Sequence, residues 1–390
     1  MKIRRNTKDP KRATGIVYAS AERSGVRRRE PLRWVRRPDA RRTPVIAVTP
    51  GEPGGIGPEI TAHLFAGFAP AGSIALIIGA CRVLEPWFAR YGAEPVFIRA
   101  RPRRPNLEDL VSRASEALTN LPRATDRPRV LVLDTGRRER YRPGRDSAGG
   151  GRHSGFALEV ACVLASDGLV EGIVTGPISK NSLQLGGYPF TGHTELLSRH
   201  FGAPDCQMMM VYRAFRVVPL TRHLPVHDVS GALSVKKIVA ALRVVNEALV
   251  REFGVPKPRL AVSGLNPHAG DGGFLGSEEI GIIAPALQRA RRLGLRVTGP
   301  VPGDALFQDA KSGTFDVFIT MYHDQGLIPF KMISKRRGVN VTVGLPVVRT
   351  SVDHGVAYDI AGKGIASTES LKEAYRLAET LVRRRRKRMG

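Results

Sequence analysis

The sequence predicts an α/β protein built as two α/β/α domains with mainly parallel sheets. Three observations lead there. Short β-branched runs recur from Pro44 onward, amphipathic stretches separate them, and 390 residues exceed what one core usually organises. Strands joined through helices pair largely in parallel, because each crossover brings the chain back to run in the same direction. In order, the strand runs are VIAVT (45–49), IALIIG (74–79), VLVLD (130–134), GIVTG (172–176), MMMVY (208–212), RVVPLT (216–221), LAVSG (260–264), DVFIT (316–320) and NVTVG (340–344). Helical patterning covers 155–167, 234–253, 278–293 and 368–385, with Ser234 and Ser277 as N-caps. Two glutamates after Ser277 suit a helix N-terminus. The segment 101–128 is basic and carries several prolines, and the Arg/Gly-rich stretch 137–153 reads as a mobile loop.

Composition narrows the class. With 42 % hydrophobic and 25 % charged residues the chain is an ordinary soluble globular protein, and no apolar run approaches a membrane span. Cys81, Cys162 and Cys206 lie far apart with no CxxC pair, which argues against a disulfide framework or a cysteine zinc site and fits a reducing cytoplasm. The net charge of +26 is mostly terminal. Residues 1–43 hold 15 Lys/Arg against 4 Asp/Glu, a net of +11, and RRRRKR (383–388) adds +6. Both ends read as solvated, disordered extensions; binding to nucleic acid or an organelle transit role for 1–43 are the alternatives. The core has neither a helix-turn-helix nor RNP-like aromatics, and aromatic residues are only 6 %, so a nucleic-acid module is disfavoured.

In parallel α/β architectures ligands gather in the loops after strands. His223 (LTRHLP), His268 (GLNPHAGDGG) and His323 (MYHDQG) each follow a strand. A lone loop histidine is more often a surface residue, but three imidazoles from three strand ends can hold a divalent metal with an open position. Nitrogen ligands accept Zn2+, Co2+ or Ni2+, with Mg2+ less expected. Asp304 and Asp324 are candidate carboxylates for orienting those imidazoles. His193 and Thr194 open a helix, where donors suit an anion or simply cap the helix. Lys331, Asn340 and Arg349 add a point charge, an amide and a fork, a receptor for a phosphorylated or carboxylated substrate. The glycine-rich TPGEPGGIGPE (49–59) matches neither GxGxxG nor a P-loop.

Together these segments resemble the 4-hydroxythreonine-4-phosphate dehydrogenase family. TPGEPGGIGPEI, VTGPISK, FTGHTELL, RHLP, GLNPHAGDGG, GPVPGDALF, MYHDQGL and GVNVTVGLPVVRTSVDHG carry the resemblance, from about Val45 to about Leu381. HGVAYDIAGKGIAS (354–367) is also similar to the HGxAPDIAGKGIANP segment of isocitrate and isopropylmalate dehydrogenases, which lines their NAD site. Tyr358 stands for that proline and Ser367 for that asparagine, while Ser179 in PISK stands where some members carry histidine.

The resemblance implies an isocitrate/isopropylmalate dehydrogenase-like fold with the active site in the cleft between its domains. One domain comprises 44–172 plus 297–390; the other, 173–296, carries the dimer contacts of a homodimer with shared sites. It implies His223, His268 and His323 as metal ligands and His193, Thr194, Lys331, Asn340 and Arg349 at the substrate. His354, Gly355 and Asp359 fall at the cofactor, NAD or alternatively NADP. The implied reaction is oxidation of 4-phosphohydroxy-L-threonine at C3, followed by loss of CO2 from the β-keto acid to give 3-amino-2-oxopropyl phosphate, in vitamin B6 biosynthesis. Asp304, Asp324 and Lys331 are the unranked candidates for proton transfer. Related substrates, a threonate or erythronate 4-phosphate or an aromatic cis-dihydrodiol carboxylate, are the alternatives.

Overall fold

Residues 42–100, 105–121, 130–190, 192–308, 310, 312–335 and 337–389 are described in the computed structural model. The expected basic segment 1–43 therefore lies almost wholly outside the described residues, as do parts of 101–128. Twelve strands form one sheet: β1 Val45–Thr49, β2 Ile74–Gly79, β3 Val96–Ile98, β4 Val130–Asp134, β5 Gly172–Thr175, β6 Gln207–Tyr212, β7 Phe215–Pro219, β8 Arg259–Ser263, β9 Arg296–Val301, β10 Val317–Thr320, β11 Val339–Val343 and β12 Val348–Ser351. Their order is β3-β4-β2-β1-β5-β12-β11-β6-β7-β10-β8-β9. The helices are α1 Gly57–Gly67, α2 Cys81–Arg90, α3 Leu107–Thr119, α4 Ala148–Ser166, α5 Lys180–Leu185, α6 His193–His200, α7 Val229–Ala232, α8 Val235–Arg251, α9 Ala284–Arg292, α10 Gly303–Leu306, α11 His323–Ser334 and α12 Glu369–Met389.

Pairing is parallel except through the middle, where β11 runs antiparallel to both β12 and β6, and β6 antiparallel to β7. Two parallel blocks of opposite sense therefore meet at an antiparallel seam. Where the sequence suggested two sheets, one continuous sheet passes through both halves. The strands at 296–301 and 317–320, assigned above to the first domain, pair with β8 and β7 in the second block. Alternate residues of β1 feed opposite faces: Ile46 and Val48 enter one core cluster, Val45 and Ala47 the other. Helices cover both faces, as a sheet buried on both sides requires.

One expected loop and one expected disordered extension contain ordered helix. The Arg/Gly-rich stretch becomes helical at Ala148, capped by Ser147, whose Oγ accepts from Gly150 N at 3.0 Å. Its glycines are there for approach: a Cβ on Gly150 would sit 1.9 Å from Glu52 Oε1. The RRRRKR run forms the last turns of α12, whose Leu371, Ala374, Tyr375, Ala378, Leu381 and Val382 stripe is buried. Its arginines are engaged, not simply solvated. Arg384 donates to Phe253 O at 2.6 Å, Arg385 to Pro346 O, and Arg386 forks onto Glu171. Ser234 caps α8 as expected, accepting from Lys237 N at 3.3 Å. No helix among the described residues is long and apolar enough to cross a membrane.

The Glu171 and Arg386 side chains are only 11 % and 15 % exposed, so removing one partner strands the other. Arg386→Ala is expected to lower unfolding free energy by about 2–4 kcal/mol in urea denaturation, whereas Lys387→Ala should change it by less than about 0.5 kcal/mol.

Candidate active site

The cleft lies where the two blocks meet and encloses about 940 Å3. One end of it is built on the seam. Arg349, in the middle of β12, is almost fully buried, and its cross-strand partner in β11 is Thr342. Its guanidinium donates to Thr342 Oγ1 at 2.9 Å and to Thr175 Oγ1 of β5 at 2.7 Å, tying three strands. Burial lowers its pKa to about 10, still cationic at neutral pH. Its Nε has no hydrogen-bond partner among the described residues, and the same holds for the sealed atoms Asn340 Oδ1 and His193 Nε2. Three unsatisfied polar atoms around one cleft call for a polar ligand, since an unpaired buried group is expensive. His193 is held neutral, its pKa pushed well down first by burial and then by the Arg349 charge. His193 and Thr194 are the first residues of α6, which has no side-chain cap; the capping alternative for Thr194 does not hold. Lys331, on α11, lines the same cleft.

At the other end, β7 and β10 are adjacent parallel strands, so the residues after them emerge side by side. His223 and His323 consequently face each other with ring centroids 5.9 Å apart. His323 Nδ1 lies 2.6 Å from Asp324 Oδ1, an orienting carboxylate that leaves Nε2 free. The His223 pKa is lowered, by burial first and then by the Lys180, His323 and Arg222 charges, which favours the neutral imidazole a metal requires. Gln325, next in MYHDQG, fastens the turn by accepting from Met321 N at 2.8 Å and Ser263 Oγ at 3.0 Å and donating to Gly264 O at 2.9 Å.

The third histidine is not there. His268 is exposed and begins six consecutive residues with positive φ, 268–273. Such a left-handed run is strained for His, Ala and Asp and must be imposed from outside. The imposing groups are Glu279, which accepts from Leu265 N at 2.7 Å and Asn266 N at 2.8 Å, and Glu278, which takes Asn266 Nδ2 at 2.8 Å. The two glutamates read as dipole partners thus brace this loop. Asp304 is also exposed and outside the cleft lining, as is Asp359. Among the described residues, no group of three or more His, Cys, Asp or Glu is gathered to hold a metal ion. His354 and Gly355 do line the cleft.

Sequence reasoning missed Lys180, Arg222 and Asp353, all of which line the cleft. Each stands within a few residues of a strand's carboxyl end, the signal used for the histidines, though the strand before Asp353, β12, was not among those read from the sequence. The Asp353 pKa is raised by burial, against the Lys331, His354 and His323 charges. The glycine-rich 49–59 loop packs against protein instead of opening to the cleft: a Cβ on Gly51 would lie 2.1 Å from Pro177 O, at a φ of +87°.

A family model described as "Pyridoxal phosphate biosynthetic protein PdxA" matches residues 97–378. The chain belongs to the PdxA family. The 4-hydroxythreonine-4-phosphate dehydrogenase of Desulforapulum autotrophicum is 41 % identical over 86 % of this PdxA-family chain and 94 % of its own length. The D-threonate 4-phosphate dehydrogenase of Bordetella bronchiseptica is 38 % identical, over 87 % and 93 %. Among solved structures, the 4-hydroxythreonine-4-phosphate dehydrogenase of Klebsiella pneumoniae superposes with a TM-score of 0.75 at 34 % identity, covering 87 % of this chain and 98 % of its own.

Glu52, fully buried beside Gly54 N, has its pKa raised by desolvation from 4.5 to about 7. The folded protein therefore keeps a proton that the unfolded chain releases, and stability falls as pH rises through this window. The slope is about 1.4 kcal/mol per pH unit at most for one group. Glu52→Gln should remove that contribution, gaining on the wild type between pH 5 and pH 7.5 in denaturant titrations. An equal difference at both pH values would contradict it.

Proposed function

We infer that this chain is a 4-hydroxythreonine-4-phosphate dehydrogenase, an oxidoreductase that oxidises the C3 hydroxyl of its phosphorylated substrate with a nicotinamide dinucleotide and a divalent metal. The observation that carries the reading is the set of sealed, unsatisfied atoms on His193, Asn340 and Arg349 facing the same cleft as the His223/His323 pair. Arg349, Lys331 and Asn340 would receive the anionic end of the substrate, with His193 a neutral partner beside it. His223 and His323 would hold the metal, which when bound supplies Lewis-acid polarisation of the substrate hydroxyl. His354 and Gly355, which line the cleft, would contact the dinucleotide. Lys331 and Asp353, which line the same cleft and interact through charge, would exchange the proton released on oxidation and support charge during loss of CO2. Asp324 is better placed as the residue that orients His323 than as a proton carrier.

His268 and Asp304 completing the site from a second copy accounts for their position. The His268 loop is exposed beside Phe274 (87 % exposed), Leu275 and Ile280, an apolar surface suited to a homodimer contact.

Purified protein with 4-phosphohydroxy-L-threonine, NAD and a divalent metal should form NADH, and His323→Ala should abolish it. Turnover on threonate 4-phosphate alone would replace the substrate and keep the site. For the shared site, inactive His268→Ala and His323→Ala chains are unfolded together and refolded. Half the dimers are then mixed, each with one intact site, so about a quarter of wild-type activity should return. No recovery would show that each chain builds its own site.

A further inference from the structure

Ser179 and Tyr358, 179 positions apart, are two of the places where this chain departs from the related patterns, and both donate to one oxygen, Asp146 Oδ1. The Tyr358 bond is 2.7 Å; Ser182 Oγ reaches the same oxygen at 3.2 Å, and Asn181 Nδ2 reaches Oδ2 at 3.0 Å. One carboxylate therefore joins three segments. Asp146 directly precedes Ser147, the N-cap of α4; Ser179 is the N-cap of α5; Tyr358 sits mid-way along the 354–364 loop. Ser182 closes the ring, accepting from Ser147 N at 3.1 Å and lying 3.4 Å from Tyr358 Oη. Four donors outweigh the partial burial that opposes the charge and hold the Asp146 pKa down to about 2.

What hangs from this carboxylate is two separate parts of the cleft lining. Lys180, the residue after Ser179, lines the cleft, and its charge acts on His223. His354 and Gly355, a few residues before Tyr358, line the same cleft. Elsewhere the 354–364 loop and its exit are held by Val356 O, accepting from Ile56 N at 3.0 Å, by Lys363 O with a long 3.4 Å bond from Arg90, and by Ala366 N, donating to Glu59 Oε1 at 2.7 Å. The middle of the loop is fixed by the Tyr358 hydroxyl. A proline at 358 could make no such bond.

We propose that Asp146 is a positioning residue, a latch that ties the 354–364 loop through Tyr358 to Ser179 at the start of α5 and so sets the spacing between the dinucleotide loop and Lys180. This rests on the reading that the loop receives the dinucleotide, and Ser179 and Tyr358 are then a matched pair. A charge-assisted bond of this kind is worth about tenfold in an equilibrium.

The test uses the full chain with Asp146→Asn, Ser179→Ala, Tyr358→Phe and the double variant. Two readouts are independent of turnover: hydrogen exchange of the 355–364 amides in ligand-free protein, and NAD affinity by calorimetry. Asp146→Asn and Tyr358→Phe should speed exchange of these amides and weaken NAD about 5–10-fold, with the KM for the phosphorylated substrate within about twofold. Ser179→Ala with Tyr358→Phe should cost no more than Asp146→Asn, because both act through one carboxylate. Wild-type exchange in Tyr358→Phe, or equal losses for both substrates together with a fallen Tm, would overturn the latch. If the wild type binds no dinucleotide, the reading beneath fails while the exchange arm still decides whether the loop is latched.

Discussion

A guanidinium sealed inside a sheet, with no carboxylate partner among the described residues, is an unusual thing to retain. Arg349 has two threonine hydroxyls, one from each neighbouring strand, and a third nitrogen direction left open. Desolvation works against that charge, so the fold must hold it by position: β12 is clamped between β5 and β11, and the register that puts Thr342 opposite Arg349 cannot slip by one residue without turning the guanidinium to the other face. The cleft, the two opposed parallel blocks and the placement of the histidines all follow from keeping this seam intact. Binding of an anion there relieves the cost of the unmet donor, and affinity and fold stability are thereby linked.

Most of the sheet was legible because β-branched runs of four to six residues, bounded by Gly or Pro, have few other ways to be buried. The strands missed have physical reasons. β3 is three residues long, β9 contains Gly299 and Pro300, and β12 carries an arginine in the middle of a central strand. That last miss is informative: local pattern and burial disagree at Arg349, a cation sealed mid-strand where the pattern calls for an apolar residue. The site itself was read through histidines at strand ends, and adjacency of β7 and β10 brought two of them together. Where His268 points depends on six residues of positive φ in a loop braced by Glu278 and Glu279, a property of a tertiary brace that no local pattern encodes.

Charge was the poorest guide. RRRRKR looked like a tail, yet its arginines cap carbonyls and pair with Glu171, where cations also suit the carboxyl end of α12. Several basic and acidic side chains in this molecule fasten segments distant in sequence: Arg386 with Glu171, Asp146 with Tyr358, Glu59 with Ala366. Fasteners of this sort leave no periodic trace, since each needs one partner at one place. The same is true of Gly150, whose missing side chain is explained only by the carboxylate it admits.

The strand order also has a consequence in time. β12 and β11 are the last strands along the chain, yet they occupy the centre of the sheet, next to β5 and β6 made far earlier. Neither parallel block is joined to the other until that late hairpin slots between them, and contacts spanning such sequence distances close slowly. Asn340 and Arg349, which line the cleft, sit on those two strands. A chain whose middle strands are unpaired therefore lacks the cleft, however well its two outer blocks are formed.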